Sequence, residues 1–281
     1  MTARYRNEPI YTAAIGAGRL MFGALRVKRD VRGAENLPDD GGAVIAITHF
    51  GFLEFALVEW VLWLHNRRRI RFMAKKGAFR GWPLGFWMRN MKHIPVDRAA
   101  GAGAYDAAIT ALRDGELIGV FPEGTIGRSF EVQNLKTGAA RLAQEAGVPI
   151  IPIAVWGGHR ILTKQAKGRR RDRFGVPVHV LVGEPVTVAA DADVTEATDA
   201  LRATLQRLTD DLQANYPVDG AGQWWHPARL GGTAPTVAET AHEQRGSEAV
   251  VRFRVIRPDP HGHAVVVDRL VQPTLQERRG P

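Results

Sequence analysis

The sequence predicts an α/β fold with a mainly parallel β-sheet flanked by helices. Two observations support this: short apolar runs recur along the chain, and amphipathic segments with helical spacing alternate with them. Strands that alternate with helices build parallel sheets that are covered on both faces. A chain of 281 residues with 45% hydrophobic residues has enough apolar side chains for one such core plus an appendage.

The individual elements follow from the same patterns. The predicted strands are the short apolar runs at residues 41–48, 70–74, 116–122, 148–157 and 176–186. The predicted helices have apolar residues three and four apart, and two of them end at glycine. They are residues 52–65, 103–115, 136–147 and 195–216, the last with a Thr cap.

The composition divides the chain into three predicted regions. Residues 1–29 form an apolar, amphipathic helical segment that contacts a membrane, and residues 30–216 form the α/β domain. Residues 217–281 form a C-terminal extension, which opens with a turn-rich stretch. Two alternating segments on either side of "RPDPHG" predict a β-hairpin within it.

Charge and cysteine content limit the function classes. The absence of cysteine excludes disulfides, thiolate catalysis and cysteine-ligated zinc. The net charge of +9 is concentrated at residues 66–98, which hold ten Lys/Arg and one Asp, with a second cluster at 167–173. Such clusters suit an anionic membrane, a phosphorylated substrate or nucleic acid.

Aromatic side chains interleave with these cations, which is typical of a lipid interface. No segment is long and apolar enough to predict a span, because residues 9–28 are interrupted by Arg19 and residues 52–65 carry two glutamates. The sequence therefore predicts peripheral or monotopic attachment to the cytoplasmic face of the cell membrane. The predicted contact residues are Phe79, Trp82, Phe86 and Trp87, with Arg80 and Arg89 beside them.

The stretch "ITHFGFLEFAL" puts His49 five residues before Glu54. Five helical residues turn through about 500°, so the two side chains meet only if His49 lies in the turn before the helix. A carboxylate there can orient an imidazole, as in Ser-His-Asp systems. Zinc is disfavoured because helical zinc pairs use a spacing of four, and no metal is predicted. The alternative interpretation, a histidine in a turn beside an unrelated surface carboxylate, remains open.

Two further motifs follow predicted strands. "FPEGT" (121–125) presents Glu123, Gly124 and Thr125 at the strand end where α/β sheets bind ligands, although an ordinary β-turn has the same composition. "IPVDR" (94–98) ends in Arg98, which suits a phosphate because arginine binds phosphate through two hydrogen bonds. A solvated arginine after an edge strand is the alternative.

The histidine-acid pair, "IPVDR", "FPEGT" and "VPIIPIA" (148–154), in this order, resemble the four motifs of the glycerolipid acyltransferase family. "MAKKGAF" (73–79) resembles the lysine-bearing segment between the first two motifs. The resemblance covers roughly residues 30 to 216. It implies an α/β acyltransferase fold in which a hydroxyl attacks a thioester without a covalent enzyme intermediate.

The resemblance also assigns roles to individual residues. It implies that His49 is the general base and Glu54 its acidic partner. It implies a phosphate site built from Arg98 with Lys75, and Arg128 is a further candidate. Glu123, Gly124 and Thr125 are expected to position the substrate.

The implied reaction moves a fatty acyl group from acyl-CoA or acyl-carrier protein to a lysophospholipid. The expected acceptor is 1-acylglycerol-3-phosphate, which would give phosphatidate, with an anionic membrane surface as partner and neither a cofactor nor nucleic acid. Two departures leave other acceptors open: Glu54 stands where the family has Asp, and Ile126 follows "FPEGT" where Arg is common. The alternatives are an acyltransferase that acts on another lysolipid or on a glycolipid acceptor, and a non-catalytic membrane-binding relative.

Overall fold

The structure, a computed structural model, describes residues 8–97, 102–164 and 166–240, together with the backbone of two strands between 253 and 269. The chain divides into a compact unit that ends at Ala234 and a second unit that begins at Pro235. Arg98, one of the predicted phosphate ligands, lies outside the described residues.

A seven-stranded sheet forms the centre of the first unit, in the spatial order β1-β7-β6-β2-β5-β3-β4. Neighbouring strands are parallel except at the β6–β7 contact, which is antiparallel. The predicted mainly parallel sheet is therefore confirmed. The strands are β1 Lys28–Arg32, β2 Ala43–Ile47, β3 Ile70–Lys75, β4 Ile94–Val96, β5 Leu117–Val120, β6 Ile150–Trp156 and β7 Pro177–Val182.

Helices cover both faces of this sheet. Every residue of β2, β5 and β6 is buried, which explains why these strands have continuous apolar sequences instead of alternating ones. The two core clusters lie on opposite sides of the sheet, one under α4, α5 and α7 and the other under α1 and α2. The helices are α1 Pro9–Ala24, α2 Glu54–His65, α3 Leu84–Asn90, α4 Ala102–Arg113, α5 Gly138–Ala146, α6 Gly158–Ile161 and α7 Val194–Ala214.

The capping of the last long helix differs from the prediction. Asp193, and not a threonine, caps α7, because its Oδ1 accepts hydrogen bonds from the backbone N–H of Thr195 (2.7 Å) and Glu196 (3.0 Å). An aspartate at this position also places negative charge at the positive end of the helix dipole.

One face of helix α1 packs against the rest of the first unit. Tyr11, Ile15 and Phe22 are buried on that face. The Tyr11 hydroxyl donates to the carbonyl of Ile70 (2.6 Å), and Glu8, just before the helix, forms an ion pair with the buried Arg71. Within the described residues, no helix combines the length and the apolar character needed to cross a membrane.

The turn-rich stretch after α7 continues the first unit up to Ala234. Trp225 within it is buried, and its carbonyl lies 3.0 Å from Nε2 of His159. In the second unit, β8 Phe253–Pro258 and β9 Ala264–Arg269 pair in antiparallel register. The hairpin predicted for this region would join these two strands, and the residues between them lie outside the described residues.

Candidate active site

His49 lies in the turn that joins β2 to α2, at the carboxyl end of a central strand. The preceding residue fixes this turn to the next strand, because Thr48 N–H donates to the carbonyl of Ile153 (3.1 Å) and its hydroxyl accepts from Val155 N–H (3.1 Å). The carboxyl ends of β2, β5 and β6 share one edge of the sheet, so the predicted motifs that follow these strands converge there.

The "FPEGT" turn after β5 holds the backbone of His49 from both sides. Oε1 of Glu123 accepts the His49 backbone N–H (2.8 Å), and Gly127 N–H donates to the His49 carbonyl (2.8 Å). Oε2 of Glu123 accepts the backbone N–H of Gln133 (3.2 Å). Glu123 is only 5% exposed, so its carboxyl group positions the His49 turn from inside the protein.

The imidazole of His49 is half-buried and stacks on Phe121, with 4.0 Å between ring centroids. Its Nδ1 atom is buried and makes no hydrogen bond with any residue that the structure describes. Burial, together with the positive charge of Lys164, lowers the pKa of His49 to about 3. The ring is therefore neutral at physiological pH, which is the form that can accept a proton.

Glu54 is the first residue of α2, and its carboxyl group folds back under the His49 turn. The side chain is 1% exposed, and neither oxygen makes a well-aligned hydrogen bond to a described residue. Burial raises the pKa of Glu54 to about 8, and backbone N–H groups between Gly51 and Glu54 oppose this only in part. His49 and Glu54 are thus neighbours in one turn without a hydrogen bond between them.

Gly51 makes this arrangement possible. A Cβ atom at this position would lie 2.7 Å from the carbonyl oxygen of Leu162 and 3.0 Å from Oε1 of Glu54. Both distances are shorter than normal carbon–oxygen contacts, so a side chain here would displace the carboxyl group or the loop after β6. The glycine in "ITHFGFLEFAL" therefore reflects close packing of the turn.

Two of the three candidate phosphate ligands, Lys75 and Arg128, lie within the described residues and follow strands that end at this edge of the sheet. Lys75 is exposed at the carboxyl end of β3, where its register partner in β4 is Val96, two residues before Arg98. Arg128 is half-buried on the loop after the "FPEGT" turn, next to Gly127, which binds the His49 carbonyl. Arg128 is therefore next to a residue that binds the His49 turn, whereas Lys75 lies two strands away from β2 at the same edge of the sheet.

Gly124 and Thr125 line the outer side of the "FPEGT" turn. Gly124 has a φ of +71°, and a Cβ atom there would lie 3.0 Å from Cε of Lys136. The Thr125 hydroxyl accepts a hydrogen bond from Nζ of Lys164 (2.9 Å). Sequence reasoning missed Lys136 and Lys164, because both reach the turn from distant segments. Phe121 was detectable, since it opens the "FPEGT" motif itself.

No group of three or more His, Asp or Glu side chains is placed to bind a metal ion within the described part of the chain. One cleft of the described structure is separate from His49. It lies beside the starts of β1 and β7 and is lined by residues that include Lys28, Arg160, Phe174 and His179.

Comparisons with known proteins identify one family of enzymes. The family model described as "Acyltransferase" matches residues 28–156. The 1-acyl-sn-glycerol-3-phosphate acyltransferase of Bacillus subtilis (strain 168) is 34% identical over 196 residues, which cover 67% of this chain and 95% of that protein. A chloroplastic 1-acyl-sn-glycerol-3-phosphate acyltransferase of Brassica napus is 28% identical over 145 residues, covering 50% of this chain and 41% of that protein.

A solved structure has the same fold. The 1-acyl-sn-glycerophosphate (LPA) acyltransferase PlsC from Thermotoga maritima superposes with a TM-score of 0.62 at 24% identity, covering 78% of this chain and 86% of that one. The chain belongs to the glycerolipid acyltransferase family. It is an acyltransferase-type enzyme, similar to the 1-acyl-sn-glycerol-3-phosphate acyltransferases of phospholipid biosynthesis.

Proposed function

We propose that this protein transfers a fatty acyl group from a thioester donor to the hydroxyl of 1-acylglycerol-3-phosphate, giving phosphatidate. The observation that carries the proposal is His49, a neutral and partly exposed imidazole whose backbone is held on both sides by the "FPEGT" turn. The names of the similar enzymes support the same acceptor.

In the proposed reaction, Nε2 of His49 removes the proton from the acceptor hydroxyl. The oxygen attacks the thioester carbonyl, an ester bond forms as the carbon–sulfur bond breaks, and the imidazolium returns the proton to the leaving thiolate. A hydroxyl needs such a base because its pKa lies far above neutrality, whereas the thioester carbon needs only a nucleophile. Neither a serine nor a cysteine intermediate is required.

Glu54 is proposed as the acidic partner of His49. An ionised carboxylate under the turn would stabilise the imidazolium and raise the low pKa that burial gives the ring. Glu54 is mostly protonated at neutral pH in the described arrangement, because burial raises its pKa to about 8. The pair is therefore expected to act together, with the proton of His49 and the ionisation of Glu54 coupled.

The acceptor phosphate is proposed to bind Arg98, Lys75 and Arg128. Arg128 adjoins Gly127, which binds the His49 carbonyl, Lys75 ends β3 at the same edge of the sheet, and Arg98 follows the strand that pairs with β3. Arginine and lysine are the side chains that bind phosphate in proteins. Because the acceptor is a lipid, we also propose peripheral or monotopic attachment to an anionic membrane on its cytoplasmic face.

An acyl-transfer assay with a panel of lysolipid acceptors tests the proposal. Lysophosphatidate should be the preferred acceptor, and His49→Ala should reduce transfer at least a thousandfold without altering the circular dichroism spectrum or the unfolding temperature. Transfer by a folded His49→Ala protein would remove His49 from the mechanism. Preference for another lysolipid or a glycolipid would change the acceptor, and inactivity with every acceptor would favour a non-catalytic relative.

A conservative pair of variants tests the acidic partner. Glu54→Asp should keep a measurable rate, whereas Glu54→Gln should lose most of it, because an amide cannot ionise to stabilise the imidazolium of His49. Equal rates for Glu54→Gln and the wild type would show that the carboxyl group serves packing alone.

A further inference from the structure

A second cationic segment, outside the motifs that carry the family resemblance, borders the same edge of the sheet. Residues 164–173, the loop between α6 and β7, contain six Lys or Arg side chains and a single Asp. Their role is not explained by the acyl transfer itself. We refer to this loop as the cationic loop.

One end of the cationic loop touches the active site. Lys164, its first residue, donates a hydrogen bond to the hydroxyl of Thr125 in the "FPEGT" turn (2.9 Å). The same lysine is exposed, and its charge acts on the His49 imidazole. The cationic loop therefore starts beside the position where the acyl group is exchanged.

The middle of the loop is ordered by its one acidic residue. Oδ2 of Asp172 accepts the backbone N–H of Arg169 (2.8 Å) and closes a 3-10 turn over Arg170–Arg173. A Cβ atom on Gly168 would lie 3.3 Å from Nε1 of Trp224, so the loop also packs against the stretch after α7. These contacts leave the side chains of three consecutive arginines, Arg169, Arg170 and Arg171, exposed.

The other end of the loop opens into the cleft beside β1 and β7. This cleft has a volume of about 410 Å³. Phe174, the residue directly after the loop, lines it and is 56% exposed. Lys28, Arg29 and Arg160 also line it and outweigh the one lining carboxylate, Asp30. An exposed aromatic ring among several cations suits a ligand with both a flat base and phosphates.

The distance between cleft and active site fits one kind of donor. The starts of β1 and β7 lie at the same sheet edge as the end of β2, because β6 and β7 are antiparallel. They are two to three strand spacings from β2, roughly 10–15 Å. A pantetheine arm has the length of about five extended residues, roughly 17 Å, and spans this gap.

We propose that the cationic loop and this cleft bind the 3′-phosphorylated ADP portion of a coenzyme A thioester, with the adenine on Phe174 and the phosphates on the loop arginines and Lys28. This inference rests on the proposed function, since it places the thioester carbon at His49. It assigns coenzyme A as the donor, because a cleft with an aromatic wall fits a nucleotide base, which an acyl-carrier protein does not have.

Binding of adenosine 3′,5′-bisphosphate, measured by isothermal titration calorimetry at low salt and without lipid, tests the site directly. The variant R169S/R170S/R171S should bind at least tenfold more weakly than the wild type, and Phe174→Ser should weaken binding severalfold. A matched control, R113S/R141S/R207S, removes three exposed arginines from α4, α5 and α7 and should bind like the wild type. Added salt should weaken wild-type binding because the site is exposed.

Transfer assays give a second, independent measurement. The ratio of kcat/KM for an acyl-CoA to kcat/KM for the same acyl group on pantetheine should fall at least tenfold in R169S/R170S/R171S and not in the control. Absence of nucleotide binding, or equal loss in both triple variants, would overturn the inference. A loss of rate in R169S/R170S/R171S that is confined to carrier-protein thioesters would also overturn the inference. If no thioester supports transfer, the proposed function fails, and the calorimetry still decides this inference.

Discussion

The geometry of the candidate active site depends on the hydrogen bonds of individual residues. The sequence predicted that His49 and "FPEGT" each follow a strand of a parallel sheet, and the structure joins the two motifs through the Glu123 carboxyl group. The direction in which Glu123 points could not be predicted. A buried carboxylate that binds two backbone N–H groups and an exposed one that binds a substrate have the same sequence.

Glu123→Gln should reduce kcat about ten- to a hundredfold, while KM for the acceptor changes little. The amide offers one oxygen in place of two, so the N–H of His49 or Gln133 loses its acceptor and the catalytic turn shifts. A displacement of a catalytic group by about 1 Å can lower the rate about a hundredfold. Steady-state kinetics separates the two constants.

Glu131→Gln, in the same loop, is the control for this substitution, since Glu131 pairs with Arg229 away from the turn. A raised KM with unchanged kcat in Glu123→Gln would show instead that the carboxylate binds the acceptor.

The buried Glu54 has a consequence for stability. Its pKa is raised by burial to about 8, so the folded protein keeps a proton that the unfolded chain releases near pH 4.5. The free energy of unfolding should therefore decrease as pH rises from about 4.5 to about 8, by an amount on the order of a few kcal/mol. Urea unfolding at pH 5.5, 7.0 and 8.5 measures this decrease.

The Glu54→Gln variant isolates this contribution, because it cannot ionise. Its unfolding free energy should decline less over the same pH range than that of the wild type. Identical pH dependence in the two proteins would mean that Glu54 is already ionised in the fold.

At the scale of elements, the long periodic segments were predictable and the short, charged ones were not. The helices at 52–65 and 136–147 match α2 and α5 to within two residues at each end. Strand β1 was missed because "KRDVR" is charged and largely exposed, as edge strands often are. Its pairing with β7 is a long-range contact that no local pattern reports.

The sequence also predicted that residues 66–98 form a cationic surface, and this is only partly correct. Arg68, Arg69 and Arg71 are buried. Arg68 donates to the carbonyls of Pro38 (3.0 Å) and Gly115 (2.7 Å), so it supports loops at the opposite edge of the sheet. Arginine side chains often serve buried carbonyl and carboxylate groups in this way.

Arg71 connects the N-terminal helix to the sheet. It is 2% exposed and contacts both oxygens of Glu8, with Glu116 as a second partner (3.0 Å). Burial opposes the ionisation of Glu8, but hydrogen bonds from Arg71 and Lys92 hold the pKa of Glu8 below its usual value. Helix α1 is thus fixed to the protein through a buried ion pair.

Arg71→Met should lower the free energy of unfolding by about 3–5 kcal/mol, since it leaves the buried Glu8 without its partner. Arg32→Met is the matched control, because Arg32 pairs with Asp211 (2.8 Å) where both side chains are well exposed, and should cost less than about 1 kcal/mol. Urea unfolding compares them. Similar small losses for both variants would mean that apolar packing alone holds α1.

At the scale of the whole molecule, exposed apolar side chains gather at the edge of the sheet that carries His49. Phe52 and Phe55 extend from the His49 turn, and Leu162 follows β6. Trp82, Leu84 and Phe86 extend from the segment after β3. All six side chains are at least a third exposed, and together we call them the apolar rim. An enzyme whose acceptor is a lipid is expected to present such a surface to the bilayer.

The residues of this surface differ partly from the prediction. Trp82 is 83% exposed and Phe86 is also exposed, so both side chains are accessible for the predicted membrane contact. Phe79 is buried, and Trp87 packs against the cluster formed by Tyr11, Ile15 and Met91. The position of α3, which the sequence did not specify, therefore decides which of these aromatic side chains are buried and which are exposed.

Vesicle co-sedimentation tests the apolar rim as a membrane contact. Binding should rise with the fraction of anionic lipid and fall with salt, because exposed cations such as Lys75, Lys76 and Arg80 lie beside the rim and each contributes about 1 kcal/mol near an anionic surface. W82S/L84S should bind at least tenfold more weakly, since two inserted side chains are lost. Leu64→Ser is the control, because Leu64 is also exposed (43%) but lies near the far end of α2, away from His49. Wild-type affinity in W82S/L84S, or equal losses in both variants, would place the membrane contact on another surface of the protein.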